Sequence, residues 1–169
     1  MVVGQDWSSA GRLSVEPPDG DSAKLGYTRK LPTNKNLDDL LKRHFGVKRA
    51  ECYLTNLFPF VKPGNLSATI RLKDLIGCAQ RFTLREIKIV SPQIVVCLGI
   101  ATFNALRRAS GIKGALKLDQ GVKSQYRFEN TMIYCVAHTG QRGMNHRGRE
   151  QVESDWQRMA MSLVVRNRA

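Results

Sequence analysis

The sequence has no hydrophobic run of the length that a membrane span requires, which is about 20 consecutive apolar residues. Its first residues also lack the basic segment, the apolar segment and the small-residue cleavage site of a secretory signal peptide. We therefore expect a cytoplasmic protein that makes no contact with a membrane.

Acidic residues are scarce. The chain carries 14 Asp and Glu residues against 27 Lys and Arg residues, so its formal net charge is +13. A small domain this basic is typical of proteins that bind a polyanion, most often a nucleic acid. A positive surface that is merely solvated remains the open alternative.

Closely spaced cysteine pairs are also missing. Cys52, Cys78, Cys97 and Cys135 are far apart, and all except Cys78 lie in apolar segments. This spacing argues against a zinc or iron–sulfur site and favours buried thiols in a reducing compartment. We expect neither a metal nor a cofactor.

Four short apolar runs predict buried β-strands, because they lack the polar alternation of a half-exposed sheet. They cover residues 1–4, 51–57, 93–98 and 131–137. Helical periodicity predicts helices over 36–45, from Leu72 to the Ser91-Pro92 step, over 101–109 and along an apolar stripe from Trp156 to Val164.

The alternation of strands and helices predicts the fold. We expect one domain over residues 1–169, a three-layer α/β/α arrangement with a central, mainly parallel four-stranded sheet. The segment from Ser8 to Thr33 is polar and rich in Gly and Pro, which indicates a long loop.

Polar residues follow the predicted strands at their carboxyl ends, where ligands of such sheets bind. The motifs are Gly4-Gln5-Asp6-Trp7, Thr55-Asn56, Leu98-Gly99-Ile100 and Ala137-His138-Thr139-Gly140. A carboxylate, an amide, a glycine that opens a helix and a histidine are therefore expected along one edge of the sheet.

The order of these motifs resembles the uracil-DNA glycosylase superfamily over nearly the whole chain. Gly4-Gln5-Asp6 is similar to the start of its G-Q-D-P-Y-H motif, and Thr55-Asn56 to the strand that supplies its base-reading asparagine. The segment from Cys78 to Gly99 is similar to the iron–sulfur branch, although only Cys78 matches a cluster cysteine. His138 to Gly148 is similar to H-P-S-P-L-S-x-x-R-G, and Trp7 and Ser8 replace the Pro and Tyr of the first motif.

The resemblance implies a monofunctional DNA glycosylase that acts as a monomer and hydrolyses uracil from DNA in base excision repair. Asp6 is then expected to act on the sugar cation and the attacking water, and His138 on the departing base. Gln5 and Asn56 are expected to bind the flipped base and Tyr27 to stack on it, with Trp7 and Phe58 as rivals of Tyr27.

The remaining expectations concern the DNA backbone. The helix start at Gly99 and Ile100 is expected to bind phosphate. Arg142, at the position of the wedge Leu, and Arg147 are expected to contact DNA from the loop after His138. No lysine occupies a motif position, so we expect no strand cleavage.

Structural explanations remain open for the same residues. Asp6 and Asn56 are also suited to cap a turn or a strand end. His138 is also typical of a hydrogen-bonded residue at a strand end, and Arg142 and Arg147 of a solvated loop. A non-catalytic nucleic-acid-binding protein that keeps this fold is the alternative function, and another damaged base is the alternative substrate.

Overall fold

A computed structural model describes residues 1–166, with side chains as far as Leu163, so Val164 of the predicted stripe lies outside the described side chains. The central sheet has five strands in the order β2-β1-β3-β5-β4. The strands are β1 (Val2–Asp6), β2 (Leu54–Phe58), β3 (Ile94–Leu98), β4 (Gln125–Phe128) and β5 (Thr131–Val136). All neighbours are parallel except β4 and β5.

Helices surround the sheet. They are α1 (Ala10–Val15), α2 (Gly20–Leu25), α3 (Pro32–Phe45), α4 (Leu72–Cys78), α5 (Leu84–Val90), α6 (Ile100–Ala109), α7 (Leu118–Gly121), α8 (Gln141–Arg147) and α9 (Arg149–Arg166). A 3₁₀ turn at Arg49–Glu51 and a π-helical turn at Ala79–Thr83 complete the helical segments of the described residues. None of the described helices has the length and apolar character needed to cross a membrane.

Successive residues of each central strand enter different hydrophobic cores, because side chains alternate across a sheet. One core lies between the sheet and α3 and α9; its members include Val2, Val96, Tyr134, Leu37 and Trp156. The other lies between the sheet and α4, α5 and α6; its members include Val3, Val95, Ile133, Ile87 and Leu106. The three-layer α/β/α fold with a mainly parallel sheet is thus confirmed.

The number of strands is a correction, since the sheet has five strands and not four. The additional strand, β4, has only four residues, Gln125–Phe128, at the edge of the sheet. Its residues alternate between exposed and half-buried, so it has no apolar run for the sequence to reveal.

Helix ends follow local chemistry. Helix α3 starts earlier than predicted, at Pro32, where the missing N–H is not needed, and ends at Phe45, which Gly46 follows as the C-cap. The predicted end before Pro92 is confirmed, because α5 stops at Val90. The predicted loop from Ser8 to Thr33 contains α1, α2 and the first residues of α3; two six-residue helices are too short for periodicity to identify.

The cysteines are free thiols in the structure. Burial raises the pKa of the Cys97 thiol well above its usual value and that of Cys135 to about 12, so both are unreactive core residues at neutral pH. Cys52 is only half-buried and lies before β2.

Arg147, at the end of α8, joins three helices. Its guanidinium donates to both carboxylate oxygens of Asp155 on α9, at 2.8 and 3.1 Å, and to Asp119 on α7. Asp155 is 4% exposed and also accepts a hydrogen bond from Arg158. This geometry gives Arg147 a structural role, and its contact with DNA stays a prediction.

We expect Arg147→Met to lower the free energy of unfolding by about 1–3 kcal/mol, because Asp155 loses two hydrogen bonds while it stays buried. Thermal unfolding followed by circular dichroism measures this loss. Arg142→Ala is the control in the same helix, since Arg142 is exposed and its loss is expected to leave the melting temperature unchanged. Equal melting temperatures for wild type and Arg147→Met would contradict the structural role.

Candidate active site

The carboxyl edge of the sheet brings the predicted strand-end residues together. In the register of β1 and β2, Gly4 pairs with Asn56 and Asp6 with Phe58. β3 lies between β1 and β5, so the backbones of β1 and β5 are roughly 10 Å apart. The edge therefore carries the carboxylate of Asp6 and, just beyond β5, the imidazole of His138, and the amide of Asn56 lies two residues before the end of β2.

The Asp6 carboxylate is held from two sides. Gln5 Nε2 donates a hydrogen bond to Oδ2 at 3.0 Å, and the Lys62 ammonium lies 3.1 Å from Oδ1. The side chains of Lys62 and Asp6 are only 6% and 14% exposed. These contacts orient the carboxylate and leave it lone pairs for another donor, such as a water molecule.

Lys62 is a site residue that sequence reasoning missed. It lies in the segment after β2, which runs beside the segment after β1: Lys62 N donates to the Ser8 carbonyl, and Ala10 N donates to the Lys62 carbonyl. The ammonium also donates to the Leu66 carbonyl at 2.7 Å. One lysine in a loop forms no motif, and only this parallel run brings it to Asp6.

Asn56 extends its side chain over β1 at Gly4. A Cβ atom on Gly4 would lie 2.5 Å from Asn56 Oδ1, so the absence of a side chain there makes room for the amide. Gly4 and Asp6 are two residues apart on β1, so the Asn56 amide lies on the same face of the sheet as the Asp6 carboxylate.

The hydrogen bonding of His138 selects its tautomer. The Gly140 N–H donates to Nδ1 at 2.9 Å, so the neutral ring carries its proton on Nε2. Part of the His138 side chain is exposed to solvent. The surrounding protein atoms nevertheless displace hydration water and lower its pKa, whereas the negative charge of Asp6 acts to raise it. The site therefore offers a neutral Nε2–H donor near neutral pH.

Two helices position the segment that carries His138. Asn36, in the first turns of α3, donates from Nδ2 to the Thr139 carbonyl at 2.8 Å. A Cβ atom on Gly143 in α8 would lie 2.2 Å from the His138 carbonyl oxygen, so α8 packs directly against this backbone. Asn36 is a second residue that the sequence did not mark, because its partner is more than 100 residues away.

The predicted phosphate contacts lie at two helix starts. Gly99 has a φ of 96°, which favours glycine, and it precedes α6 without a side-chain cap. The Gly99 N–H is occupied by the Val136 carbonyl at 2.8 Å, so the free N–H groups begin at Ile100. The predicted loop after His138 is helix α8, with Arg142 exposed in its first turn.

The candidate stacking residues differ in their surroundings. The guanidinium of Arg49 lies 4.2 Å from the centre of the Tyr27 ring, so it covers one face of the ring. Phe58 pairs in register with Asp6, and Trp7, the next residue after Asp6, is 52% exposed.

Two surface hollows have linings that do not include Asp6, Asn56 or His138. One, of about 390 Å³, is lined by residues of α1 and by Asn65 and Leu66; the other, of about 620 Å³, is lined mainly by residues of α3 and α9. Within residues 1–166, no group of three or more His, Cys, Asp or Glu side chains is arranged to hold a metal ion. The candidate site is thus defined by its strand ends.

The arrangement at this edge suits a reaction that separates charge. An oriented carboxylate stabilises a developing cation or activates water, and a neutral imidazole N–H stabilises a developing oxyanion. The amide of Asn56 adds one donor and one acceptor for recognition.

A comparison with protein families matches residues 11–160 to a family described as the uracil DNA glycosylase superfamily. The matched region includes Asn56, Gly99 and His138 and starts after Asp6. No curated protein matches the chain in sequence. Because the match covers most of the chain, the protein belongs to the uracil-DNA glycosylase superfamily.

Proposed function

We propose that the protein hydrolyses the N-glycosidic bond of uracil, or of a related damaged base, in DNA and that it acts as a monofunctional, monomeric glycosylase. Its family supports the class of DNA glycosylases. The observation that carries the finer assignment is the grouping of Asp6, Asn56 and His138 at one edge of the sheet. The net charge of +13 suits a polyanionic substrate.

Asp6 acts on the sugar. As the bond between C1′ and the base nitrogen breaks, positive charge develops on the sugar, and the fixed carboxylate stabilises it. A water molecule bonded to Asp6 adds its oxygen to C1′, and its proton passes to the carboxylate and then to solvent. The Gln5 and Lys62 contacts keep the carboxylate oriented for both steps.

His138 acts on the leaving base. The electron pair of the broken bond leaves with the base, so negative charge develops on its ring nitrogen and carbonyl oxygens. The Nε2–H of a neutral His138 donates to such an oxygen, with Nδ1 fixed by Gly140. A neutral donor needs no proton transfer to stabilise the anion.

Asn56 selects the base. Its amide offers one donor and one acceptor, which match the O4 and N3–H groups of uracil, whereas cytosine presents the reversed pattern. The Asn56 amide lies over Gly4, two residues before Asp6 on β1. The groups proposed to recognise the base therefore lie further inside the sheet than the carboxylate proposed to act on the sugar. The rings of Tyr27 and Phe58 are the surfaces proposed to stack on the flipped base.

The first test is excision itself. Purified protein is expected to release uracil from labelled oligonucleotides with no added metal, and the Asp6→Asn variant to be slower by roughly 10²–10⁴-fold with nearly unchanged binding of the lesion. Alkaline cleavage at abasic sites measures the rate, and Asp21→Asn on exposed α2 is the control. No excision of any lesion at stoichiometric enzyme would leave the non-catalytic binder as the function.

The pH dependence tests the neutral histidine. Since the pKa of His138 is lowered, the ring stays neutral at pH 7, and the single-turnover rate is expected to fall only as the pH drops below about 6.5, where protonation removes the Nδ1 acceptor. His138→Gln is expected to be roughly 10²–10³-fold slower at pH 7.5 and to lack this fall. A rate that rises toward acid would show that protonated His138 is the active form.

Lys62 is proposed as a positioning residue for Asp6. Lys62→Met is expected to lower both kcat and the melting temperature, because a buried carboxylate loses its partner, and Lys62→Arg to restore part of both. The double variant Lys62→Met/Asp6→Asn removes both charges, so it is expected to regain stability but not activity. Recovery of kcat in the double variant would contradict this role.

The Lys62 variants also test whether the protein cleaves the DNA strand through a lysine adduct. An ammonium that is paired with Asp6 and bonded to Leu66 has no lone pair to attack the sugar, so no lysine adduct is expected. Borohydride treatment of the enzyme with abasic DNA checks this. A trapped adduct that disappears in Lys62→Arg would replace the monofunctional assignment.

A further inference from the structure

Three phenylalanine rings form a continuous line that leads from the end of β2, next to Asp6 on β1, onto the protein surface. Phe58, the register partner of Asp6, packs edge to face against Phe60, with ring centres 5.5 Å apart. Phe60 packs in the same way against Phe82, with ring centres 5.8 Å apart. Phe82 lies on the π-helical turn between α4 and α5, a type of turn that is frequent at functional sites.

The outer rings of this line are open to solvent. Phe60 is 52% and Phe82 39% exposed, and the adjoining Val61 is also exposed. A single exposed aromatic ring is ordinary, but adjacent exposed rings beside a candidate site indicate a binding surface. Because each ring packs against the next, little side-chain freedom is left to be lost when a ligand stacks on them.

The charge around these rings is positive. Arg81 and Arg85 are exposed on either side of Phe82 in the sequence. The nearby acidic residue of α5, Glu86, is half-buried and accepts a hydrogen bond from Thr55 on β2. The surface thus offers flat apolar rings together with arginine side chains, the combination that binds single-stranded nucleic acid.

We propose that Phe60, Phe82, Arg81 and Arg85, here named the aromatic track, bind the unpaired nucleotides that flank the target base in single-stranded DNA. This inference rests on the proposed function, because it takes the strand in the site to be DNA. Every base has a face that can stack on a ring, whereas in a duplex those faces are already stacked on neighbouring bases. The track therefore favours single-stranded over duplex substrates.

The test measures binding to DNA that contains no uracil, so it does not depend on excision. Fluorescence anisotropy compares an unstructured single strand with a duplex across a salt series. Phe60→Ala and Phe82→Ala are each expected to weaken single-strand binding roughly 5- to 100-fold and to leave duplex affinity and the salt slope nearly unchanged. Arg81→Ala and Arg85→Ala are each expected to flatten the single-strand salt slope by roughly 0.7.

Matched controls separate the track from general effects. Ile89→Ala removes an exposed apolar side chain of α5, and Arg127→Ala removes an exposed charge from the opposite edge strand, β4. Ile89→Ala is expected to leave single-strand affinity unchanged, and Arg127→Ala to leave the single-strand salt slope unchanged. Phe60→Leu keeps apolar volume but lacks an aromatic face, so it is expected to weaken single-strand binding while it keeps the melting temperature.

Several results would overturn the inference. They are unchanged single-strand affinity in both phenylalanine variants, equal losses on single-stranded and duplex DNA, and full affinity in Phe60→Leu. A protein that excises uracil yet shows any of them keeps the proposed function and loses the aromatic track. A protein that binds as expected but excises nothing keeps the track and loses the proposed function.

Discussion

The ion pair between Lys62 and Asp6 is the contact on which the site depends. A carboxylate that is largely removed from water is unfavourable unless charged and polar groups surround it. Here the ammonium of Lys62 and the amide of Gln5 supply those groups, at 3.1 and 3.0 Å. The same lysine is held by the backbone contacts that run the segment after β2 alongside the segment after β1. Lys62 therefore both orients the Asp6 carboxylate and joins the segments that follow β1 and β2.

The two ends of the site have opposite electrostatic character, which divides the proposed reaction between them. In the proposed reaction, the fixed negative charge at β1 faces the sugar, where positive charge develops. Beyond β5 a neutral imidazole, with its proton placed by the Gly140 N–H, faces the base, where negative charge develops. The lowered pKa of His138 keeps this division at neutral pH, because a neutral ring retains the Nδ1 acceptor that fixes its tautomer.

The sequence predicted the features that depend on local patterns. Continuous apolar runs identified the four parallel strands, and the motif order placed Asp6 and His138 at strand ends before any register was known. Asn56, also expected at a strand end, lies two residues before the end of β2. Features that depend on distant partners were not predictable. Lys62 reaches Asp6 only through two loops that run together, and Asn36 supports His138 across the fold. β4 was missed because it is a short edge strand, and the pairing of Arg147 with buried Asp155 was missed because nothing local shows it.

The central claim is that water replaces the base at C1′ and that the DNA strand stays intact. Mass spectrometry of a uracil-containing oligonucleotide tests this most directly. The oligonucleotide is incubated with the enzyme in water enriched in ¹⁸O. Borohydride is added at the end of the reaction, because it reduces the abasic aldehyde, whose oxygen is otherwise exchangeable. We predict free uracil and an unbroken strand whose abasic site carries one ¹⁸O atom. Full-length substrate of unchanged mass at stoichiometric enzyme, or a strand cleaved at the site of base loss, would contradict it.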